Sequence, residues 1–357
     1  MKKLVLIACL LPNIAFANEI PLCIQAVQNQ KIKASLENKK TANGVDFDKI
    51  MASGIKTKKS KIGCYAGDAE SYQTFAPIFD YVLDKYHHKT QNKTTENYDV
   101  SAINQNFSDD AKKLISSTRI RFARNIEKFP FPSSMSKQQR YEVEKTITDA
   151  INSSDFLKTG TYTSLEKMSK KEQEKLRKEH LLFNDITEDE HLNAAGISGD
   201  YPHARGIYIS KDKKLVIWIN EEDHMRVISI QENYDIRSVF ENLVHLENEL
   251  RKTIKFAYSK KYGYLASCPT NIGTGMRASV LLKLENLGKN QKLLKEIAKS
   301  FNIDVRGVFG ENSNSEGGIF DISNSERFGK SPEELINNMI RGVNLLVEID
   351  KLQAQQK

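Results

Sequence analysis

Cysteine is scarce in this 357-residue chain, which contains only four. Cys9 lies in the apolar N-terminal stretch, and Cys23, Cys64 and Cys268 are far apart along the sequence. This spacing fits neither a disulfide framework nor the Cys-x-x-Cys and Cys/His patterns of zinc sites, although export would allow one pair to form. We therefore expect no metal held by the protein itself.

The chain also lacks the features of several functional classes. No segment after the N-terminal stretch is apolar enough to span a membrane. The net charge of +7 comes mainly from scattered lysines rather than a dense basic stripe, so we expect no nucleic-acid partner. The P-loop motif G-x-x-x-x-G-K-[ST] and the protein-kinase motifs are absent too. With 39% hydrophobic and 28% charged residues, the composition is that of a folded chain.

The N-terminus has the three-part pattern of an export signal. Met1–Lys3 is basic, Leu4–Leu11 is apolar, and Ala15 and Ala17 provide small residues before a cleavage site. This pattern predicts a signal peptide over residues 1–17 and an exported protein. If the segment is not cleaved, we expect the protein to be cytoplasmic.

Periodicity and composition divide the remaining chain into two parts. Apolar residues recur at helical spacing between residues 20 and 90, and no arginine occurs before Arg119. A polar stretch rich in Thr, Asn and Asp follows the helical part and is typical of a linker. We predict a helical N-terminal domain at 18–95, a linker at 96–112 and a larger domain at 113–357.

The larger domain mixes strand-like and helix-like patterns in short alternation. Strand patterns cover residues 114–122, 206–219, 262–267, 278–284 and 319–322. Helical patterns cover residues 137–151, 235–258, 290–301 and 332–351. This order predicts an α+β fold, in which a small all-helical N-terminal domain precedes a sheet domain flanked by helices.

The densest group of charges lies in Trp218–Arg226, directly after the apolar run Leu215–Ile217. Three adjacent carboxylates, Glu221, Glu222 and Asp223, repel one another, and burying them costs free energy. Such a cluster needs cations from a substrate, a metal or the rest of the protein. A solvated acidic turn is the alternative, but the preceding apolar run argues against it.

Several arginines are candidates for phosphate binding. Arg119 and Arg121 are two residues apart on one strand pattern and should face the same side. Arg226, Arg277 and Arg306 lie in or after polar, turn-bearing segments. Grouped guanidinium groups can bind a polyphosphate without a P-loop. Any one of them alone fits a surface ion pair, but their grouping near turns favours phosphate binding.

Three further residues have chemically useful surroundings. Thr270 could donate a hydrogen bond to a thiolate at Cys268, whereas a small buried cysteine is the alternative. Glu311 lies in a glycine-flanked polar loop that fits a closing lid or a plain surface loop equally well. His224 fits either an acid–base or a structural role. Together with the acidic cluster, these residues indicate transfer chemistry on charged substrates.

Four segments resemble the signatures of the phosphagen (guanidino) kinases, the family that includes arginine kinase and creatine kinase. They are Ser117–Arg121, Asn220–Arg226, Cys268–Ser279 and Ser315–Asn324. The resemblance extends from about Ile24 to near the C-terminus. Gly63–Glu70 is most similar to the arginine kinase form of the loop that determines substrate specificity.

The resemblance implies an antiparallel sheet in the larger domain and reversible transfer of a phosphoryl group to a guanidino nitrogen. ATP/ADP with Mg²⁺ would be the cofactor, and L-arginine is the expected acceptor and small-molecule partner. Another guanidino compound, or less readily a protein arginine, is the alternative acceptor. A non-catalytic, exported protein that binds guanidino compounds or nucleotides is a third interpretation. We expect a monomer, with a dimer as the alternative.

The resemblance also implies a role for each part of the site. The nucleotide phosphates would contact Arg119, Arg121, Arg226, Arg277 and Arg306. His180 would lie by the adenine and Asp321 near the ribose. The guanidinium would contact Glu222, Glu311 and, as a thiolate, Cys268. The amino-acid end of the acceptor would meet Ser60, Gly63 and Tyr65.

Three features depart from the family pattern. Phe309 stands where arginine kinases usually have a basic residue in a mobile loop, and Leu281 replaces a histidine that is common beside the adenine. Both changes could weaken nucleotide binding. The signal-peptide pattern over residues 1–17 is the third, since these kinases are normally cytosolic and an exported one would meet little ATP.

Overall fold

The computed structural model describes residues 20–57, 60–89, 91–307 and 317–355. The predicted signal peptide at 1–17 therefore lies outside the described residues. Within the ranges given, no helix combines the length and the apolar character that crossing a bilayer requires.

The N-terminal part consists of short helices. They are α1 (Leu22–Ala26), α2 (Gln30–Leu36), α3 (Phe47–Lys56), α4 (Ser71–Thr74) and α5 (Ala76–His87). Side chains of Asn29 and Asp46 accept backbone N–H groups at the starts of α2 and α3, which satisfies donors that the helices leave unpaired. The helical character predicted from periodicity is confirmed, although it is divided among several short helices.

The strands of the described residues all lie in the larger part. They are β1 (Ile115–Arg124), β2 (Thr161–Ser164), β3 (Gly206–Ile209), β4 (Leu215–Ile219), β5 (Met225–Gln231), β6 (Tyr258–Ser259), β7 (Gly263–Tyr264), β8 (Met276–Lys283), β9 (Ile303–Arg306) and β10 (Ile319–Asn324). Eight of them form one sheet in the order β2-β3-β4-β5-β1-β8-β10-β9, and β6 and β7 form a separate pair. All neighbouring strands are antiparallel, as expected for the fold class.

Helices flank this sheet. They are α6 (Asp109–Leu114), α7 (Lys137–Ser153), α8 (Lys170–Lys178), α9 (Glu190–Ala195), α10 (Ile236–Arg251), α11 (Gln291–Ser300) and α12 (Pro332–Gln355). Ile120 and Phe122 of β1 belong to one buried cluster with Phe240 of α10 and Met339 of α12. Because side chains alternate along a strand, the other face of β1 is left for polar groups.

The two parts share apolar packing. Phe75, between α4 and α5, and Phe79 of α5 belong to the same buried cluster as Tyr262, Leu265 and Phe328 of the larger part. The Tyr262 hydroxyl donates to Asp80 (2.8 Å), so a polar contact also joins the two parts. These contacts fix the N-terminal helices against the segment that leads to Cys268.

Some predicted elements have different bounds. The strand pattern over 206–219 is two strands, β3 and β4, joined by a turn in which Lys213 has a positive φ of 59°. Only β7 forms within the predicted strand 262–267, and α10 ends at Arg251, before the predicted end of its helix. The turn coincides with the polar run at residues 210–214, which the prediction did not separate from the apolar residues on either side. The central strand β5 was not predicted.

Candidate active site

The sheet register places arginines from three strands on one face. Arg121 of β1 lies opposite Arg277 of β8, and Ala123 lies opposite Arg226 of β5. Arg119 is two residues before Arg121 and therefore projects from the same side. The antiparallel pairing thus brings together residues that are far apart in sequence.

The same face continues to the edge of the sheet. Asp321 of β10 lies opposite Leu281 of β8 and opposite Arg306 of β9. Leu281 is four residues beyond Arg277 and so shares its face. All of the arginines predicted to bind phosphate therefore lie on one side of the sheet. We call this set the arginine face: Arg119, Arg121, Arg226, Arg277 and Arg306.

Two adjoining cavities open over the arginine face. One, of ≈ 390 Å³, is lined by all of its arginines together with Trp218 and Glu221. The second, of ≈ 990 Å³, is lined by Ser117, Leu281 and other residues of the sheet. Three predicted site residues, Arg119, His180 and Asp321, line both cavities. The predicted base- and ribose-contacting residues therefore lie at the junction of the two spaces.

The arginine face carries more positive charge than its neighbours compensate. Among the described residues, Nε and Nη2 of Arg119 are enclosed and have no hydrogen-bond partner. The pKa of Arg119 is lowered to about 10, chiefly by burial; Asp321 opposes this change, and the positive charges of Arg277 and Arg226 contribute to it. Burial and the same two arginines also lower the pKa of Arg121. An anion in the cavity would relieve this repulsion.

Trp218 is a site residue whose role the sequence analysis missed. It lies on β4 opposite Arg226, and its ring centre is 5.2 Å from the Arg119 guanidinium carbon and 5.9 Å from that of Arg121. The ring faces of aromatic side chains attract cations, so Trp218 helps to hold the two arginines in place. The sequence feature that could have indicated this role is the position of Trp218 three residues before the first carboxylate of the acidic cluster.

Asp321 is already engaged by an arginine. Its two oxygens accept hydrogen bonds from Nη1 and Nη2 of Arg277 at 3.1 and 3.0 Å. Burial by itself would raise the pKa of Asp321, but Arg277 holds it below its usual range. This bidentate pair fixes the guanidinium of Arg277 at the junction of the two cavities.

The acidic residues occupy the tight turn Asn220–His224 between β4 and β5. Nε of Arg226 lies 3.1 Å from Oε2 of Glu221, and Nη2 of Arg226 donates to Glu222. Burial raises the pKa of Glu222 to about 7; Arg226 opposes this rise, and Asp223 and Glu221 add to it. The cluster is therefore enclosed and partly neutralised by a residue of the arginine face.

Asp223 holds the turn in position. Its Oδ1 accepts hydrogen bonds from Nδ2 of Asn125 (2.8 Å) and from the backbone N–H of Ser267 (2.7 Å). Asn125 in turn accepts the backbone N–H of His224 (2.8 Å). Asp223 thereby ties the acidic turn to the residue before Cys268. The spacing of these residues in the sequence does not predict the hydrogen bonds of Asp223.

Cys268 is buried beside the acidic turn. Its Sγ lies 3.1 Å from Oγ1 of Thr270, as expected from the sequence. Burial raises the pKa of the Cys268 thiol to about 12, and the negative charge of Glu222 is the next largest cause. Without a cation nearby, the thiol form is therefore the stable one at neutral pH.

The segment Ser60–Tyr65, here called the 60–65 loop, reaches the site from the N-terminal part. Oγ of Ser60 accepts the backbone N–H of Gly63 (2.9 Å), and Gly63 has a φ of +78° that favours glycine. Tyr65 belongs to the same buried cluster as Cys268. The next residue, Ala66, donates its N–H to the carbonyl of Ser267 (2.8 Å). The predicted acceptor residues thus lie next to the cysteine segment.

His224 has a structural role. Its Nδ1 accepts the backbone N–H of Ile126 (2.9 Å), which leaves the Nε2–H to donate to the carbonyl of Pro130 (2.8 Å). Burial lowers the pKa of His224 to about 3. Both ring nitrogens are occupied by backbone groups, so the ring supports the turn rather than exchanging protons with a substrate.

Two residues singled out from the sequence lie outside the described residues. They are Glu311, the second predicted guanidinium-binding carboxylate, and Phe309. Over the ranges that the structure covers, no group of three or more His, Cys, Asp or Glu side chains is arranged to hold a metal ion.

A cluster of arginines beside an enclosed carboxylate and a thiol fits a phosphotransferase. The family model "ATP:guanido phosphotransferase, C-terminal catalytic domain" matches residues 142–353, and the corresponding N-terminal domain model matches residues 25–84. The chain belongs to the ATP:guanido phosphotransferase family. It is accordingly a phosphagen-kinase type phosphotransferase that uses MgATP.

Arginine kinases are among the relatives. One from Anthopleura japonica is 39% identical over 326 residues, which cover 90% of this chain and 45% of that protein. The chain thus spans less than half of that relative. One from Limulus polyphemus is 36% identical over 326 residues, 90% of each chain.

Solved structures of two other family members have the same fold. A lombricine kinase superimposes with a TM-score of 0.86 at 33% identity over 96% of this chain and 95% of its own. The duplicated taurocyamine kinase of Schistosoma mansoni gives a TM-score of 0.86 at 32% identity, over 95% of this chain and 47% of its own.

Proposed function

We propose that this protein reversibly transfers the γ-phosphoryl group of MgATP to the guanidino group of L-arginine, giving phosphoarginine and ADP. The observation that carries the proposal is the contact between Glu222 and Arg226. Within the protein, an arginine side chain already places its guanidinium against the Glu222 carboxylate at the end of the arginine face. A substrate guanidinium is the same chemical group, and it would meet the nucleotide phosphates there.

The arginine face would hold the nucleotide. Its guanidinium groups would bind the phosphates in the smaller cavity, while His180 would contact the adenine and Asp321 the ribose in the larger one. The enclosed, unpartnered N–H groups of Arg119 supply donors that a phosphate oxygen would satisfy. The Mg²⁺ ion that accompanies ATP spreads the negative charge of the phosphates when it is bound.

The acceptor would be aligned by carboxylates. Glu222 and Glu311 would hold the guanidinium so that one nitrogen points at the γ-phosphorus. As the nitrogen–phosphorus bond forms, the bond from phosphorus to the β–γ bridging oxygen breaks, and the nitrogen loses a proton to Glu222. A pKa of about 7 makes Glu222 a suitable acceptor of that proton near neutral pH. Transfer is direct and in line, without a phosphoenzyme.

Cys268 would contact the guanidinium from another side as a thiolate. Because burial favours its thiol form, the thiolate needs the positive charge of the bound acceptor. The amino-acid end of arginine would meet Ser60, Gly63 and Tyr65. Gly63 packs tightly against Cys23, Gly54 and Pro21, which fixes the course of the loop.

One observation leaves a second acceptor open. The lombricine and taurocyamine kinase structures each superimpose on this chain with a TM-score of 0.86, at 33% and 32% identity. The overall fold therefore does not select arginine over another guanidino compound. Selection would depend on the 60–65 loop and on Glu311.

The experiment is a coupled assay of ADP formation with purified protein, MgATP and a panel of arginine, lombricine, taurocyamine and creatine. We expect arginine to give the highest kcat/KM. A higher value for another compound would replace arginine with that acceptor. Absence of turnover with every compound, in protein shown to be folded and to bind MgADP, would reject the proposal.

The N-terminal pattern supports export as a separate proposal. Cleavage after Ala17 would leave Asn18 as the first residue. Intact mass of the protein recovered from cell fractions would test this. A full-length mass in the cytoplasmic fraction would contradict it.

A further inference from the structure

The 60–65 loop is held from behind by the first turn of α1. The backbone N–H of Leu22 donates to the carbonyl of Lys61, and that of Cys23 donates to the carbonyl of Ile62, both at 3.0 Å. The first N–H groups of a helix have no acceptor within it, so these two are free to hold the loop. The start of α1 is therefore joined directly to the loop proposed to bind the acceptor.

The Cys23 side chain fills a space that two glycines leave open. A Cβ atom built on Gly63 would lie 2.5 Å from Sγ of Cys23 and 2.8 Å from Cα of Gly54. One built on Gly54 would lie 2.6 Å from the same sulfur. The N–H of Gly54 also donates to the carbonyl of Gly63 (2.7 Å). The sulfur, α3 and the loop are thus in close contact, with no room for an added methyl group.

The other end of the loop faces the chemistry. Tyr65, two residues after Gly63, shares a buried cluster with Cys268, and Ala66 is hydrogen-bonded to Ser267. Only Cys64 lies between Gly63 and Tyr65, which leaves little chain in which a shift at Gly63 could be absorbed. Close-packed interiors transmit such shifts instead of absorbing them.

We propose that Cys23 is a positioning residue for the guanidino acceptor. The volume of its side chain sets where the 60–65 loop lies, and the loop position sets the KM for the acceptor. This inference rests on the proposed function, because it takes the loop to be part of the acceptor site. Cys23 itself touches no reactant, and its sulfur is fully buried. Its contribution is through packing and not through thiol chemistry.

The test compares Cys23→Val with Cys23→Ser and the control Ala26→Val. Valine adds bulk against the two glycines, whereas serine keeps the size close to that of cysteine. Ala26 lies three residues further along α1 and is also buried, so its replacement adds similar bulk away from the loop. Pro21→Gly is a further variant, since it loosens the start of α1 without adding volume. Thermal unfolding establishes that each variant is folded.

For Cys23→Val we expect the acceptor KM to rise at least about fivefold, because overpacking displaces the loop. The KM for MgATP should stay within about twofold, and Cys23→Ser should behave like the wild type. If Cys23→Val does not fold, Pro21→Gly should show the same selective rise in acceptor KM. An unchanged acceptor KM in the folded variant, or an equal rise in Ala26→Val, would overturn the inference alone. A folded wild type inactive on every guanidino compound would overturn the proposed function as well.

Discussion

Glu222 is surrounded by opposing influences that together place its pKa near neutrality. Burial disfavours its charge, its neighbours Asp223 and Glu221 add to this effect, and Arg226 opposes it. A general base is most effective when its pKa lies near the working pH, because it is then both deprotonated and able to take a proton. The same crowding of like charges makes the turn costly for folding and would suit Glu222 to the proposed role of general base.

Replacing Glu222 with glutamine should separate catalysis from nucleotide binding. We expect Glu222→Gln to lower kcat by about 10²- to 10⁴-fold, since general-base catalysis contributes on this order. The dissociation constant for MgADP should change by less than about threefold, because the arginine face is intact. Initial rates measure the first quantity. Fluorescence of Trp218, the only tryptophan in the chain, measures the second.

Glu241→Gln provides the matched control, because Glu241 is an exposed glutamate on α10. Its rate should equal that of the wild type. A Glu222→Gln enzyme with more than about a tenth of the wild-type kcat would remove this residue from the role of base.

The acidity of the same carboxylate predicts the pH profile. The proton acceptor must be ionised, so kcat/KM for the guanidino acceptor should fall about tenfold per pH unit below a pKa of about 7 and level off above it. The profile reports groups of the free enzyme, for which this pKa applies. Rates from pH 5.5 to 8.5 at constant ionic strength measure it. A flat profile down to pH 5.5 would show that Glu222 is not the titrating base.

At the scale of strands, the arginine face follows from register. That Arg119 and Arg121 share one face of β1 could be predicted from sequence, because it depends only on the two-residue period of a strand. The pairing of Arg121 with Arg277 could not, because it depends on which strands become neighbours and how they are aligned. The same limit explains why β5, which follows the acidic turn at the centre of the sheet, was not predicted.

The crowding of arginines predicts that they lower the stability of the ligand-free protein while they favour the binding of MgADP. Arg119→Met should leave the ligand-free protein as stable as the wild type or more stable by about 1–2 kcal/mol, because an enclosed charge near other arginines is replaced by an apolar chain of similar length. The rise in Tm that MgADP produces should be largely lost. Thermal unfolding with and without MgADP measures both effects.

Arg341→Met is the control for this experiment, since Arg341 is exposed on α12. It should retain the full stabilisation by MgADP. If Arg119→Met instead destabilised the ligand-free protein and kept that stabilisation, Arg119 would be a structural residue rather than a phosphate ligand.

Most features of the site that the sequence did not predict are contacts between segments that lie far apart along the chain. Asn125 meets Asp223 across 98 positions, and Cys23 fits between Gly54 and Gly63 only once α1, α3 and the loop have packed. Residue type gives no hint of such contacts. The charged residues were different, since their mutual repulsion indicated a site before any partner was known.

For the whole molecule, the site is divided between the two parts of the chain. The arginine face belongs entirely to the larger part, while the 60–65 loop comes from the N-terminal helices. The division at 18–95, 96–112 and 113–357 stays a prediction. The apolar cluster shared by both parts explains how a loop from one can be held against Cys268 of the other.

The stability of the molecule in acid should depend on His224. Its pKa is lowered by burial to about 3, so between pH 6.5 and 3 the unfolded chain takes up a proton that the folded protein excludes. This linkage lowers the free energy of unfolding by about 1.4 kcal/mol for each pH unit over that window. Glu222 acts in the opposite direction between pH 7 and 4.5, because its folded pKa is raised. A comparison with a variant is therefore needed to isolate the histidine.

His224→Gln keeps a neutral side chain and removes the titration. Relative to the wild type, its free energy of unfolding should improve by about 1.4 kcal/mol for each unit that the pH falls from 6 to 4. Urea midpoints followed by Trp218 fluorescence measure the difference, and His245→Gln, at an exposed position of α10, is the control. A difference that stays constant with pH would mean that the buried imidazole is protonated in the folded protein. The hydrogen bond from the Ile126 N–H to Nδ1 would then be wrong, and with it the account of how the acidic turn is supported.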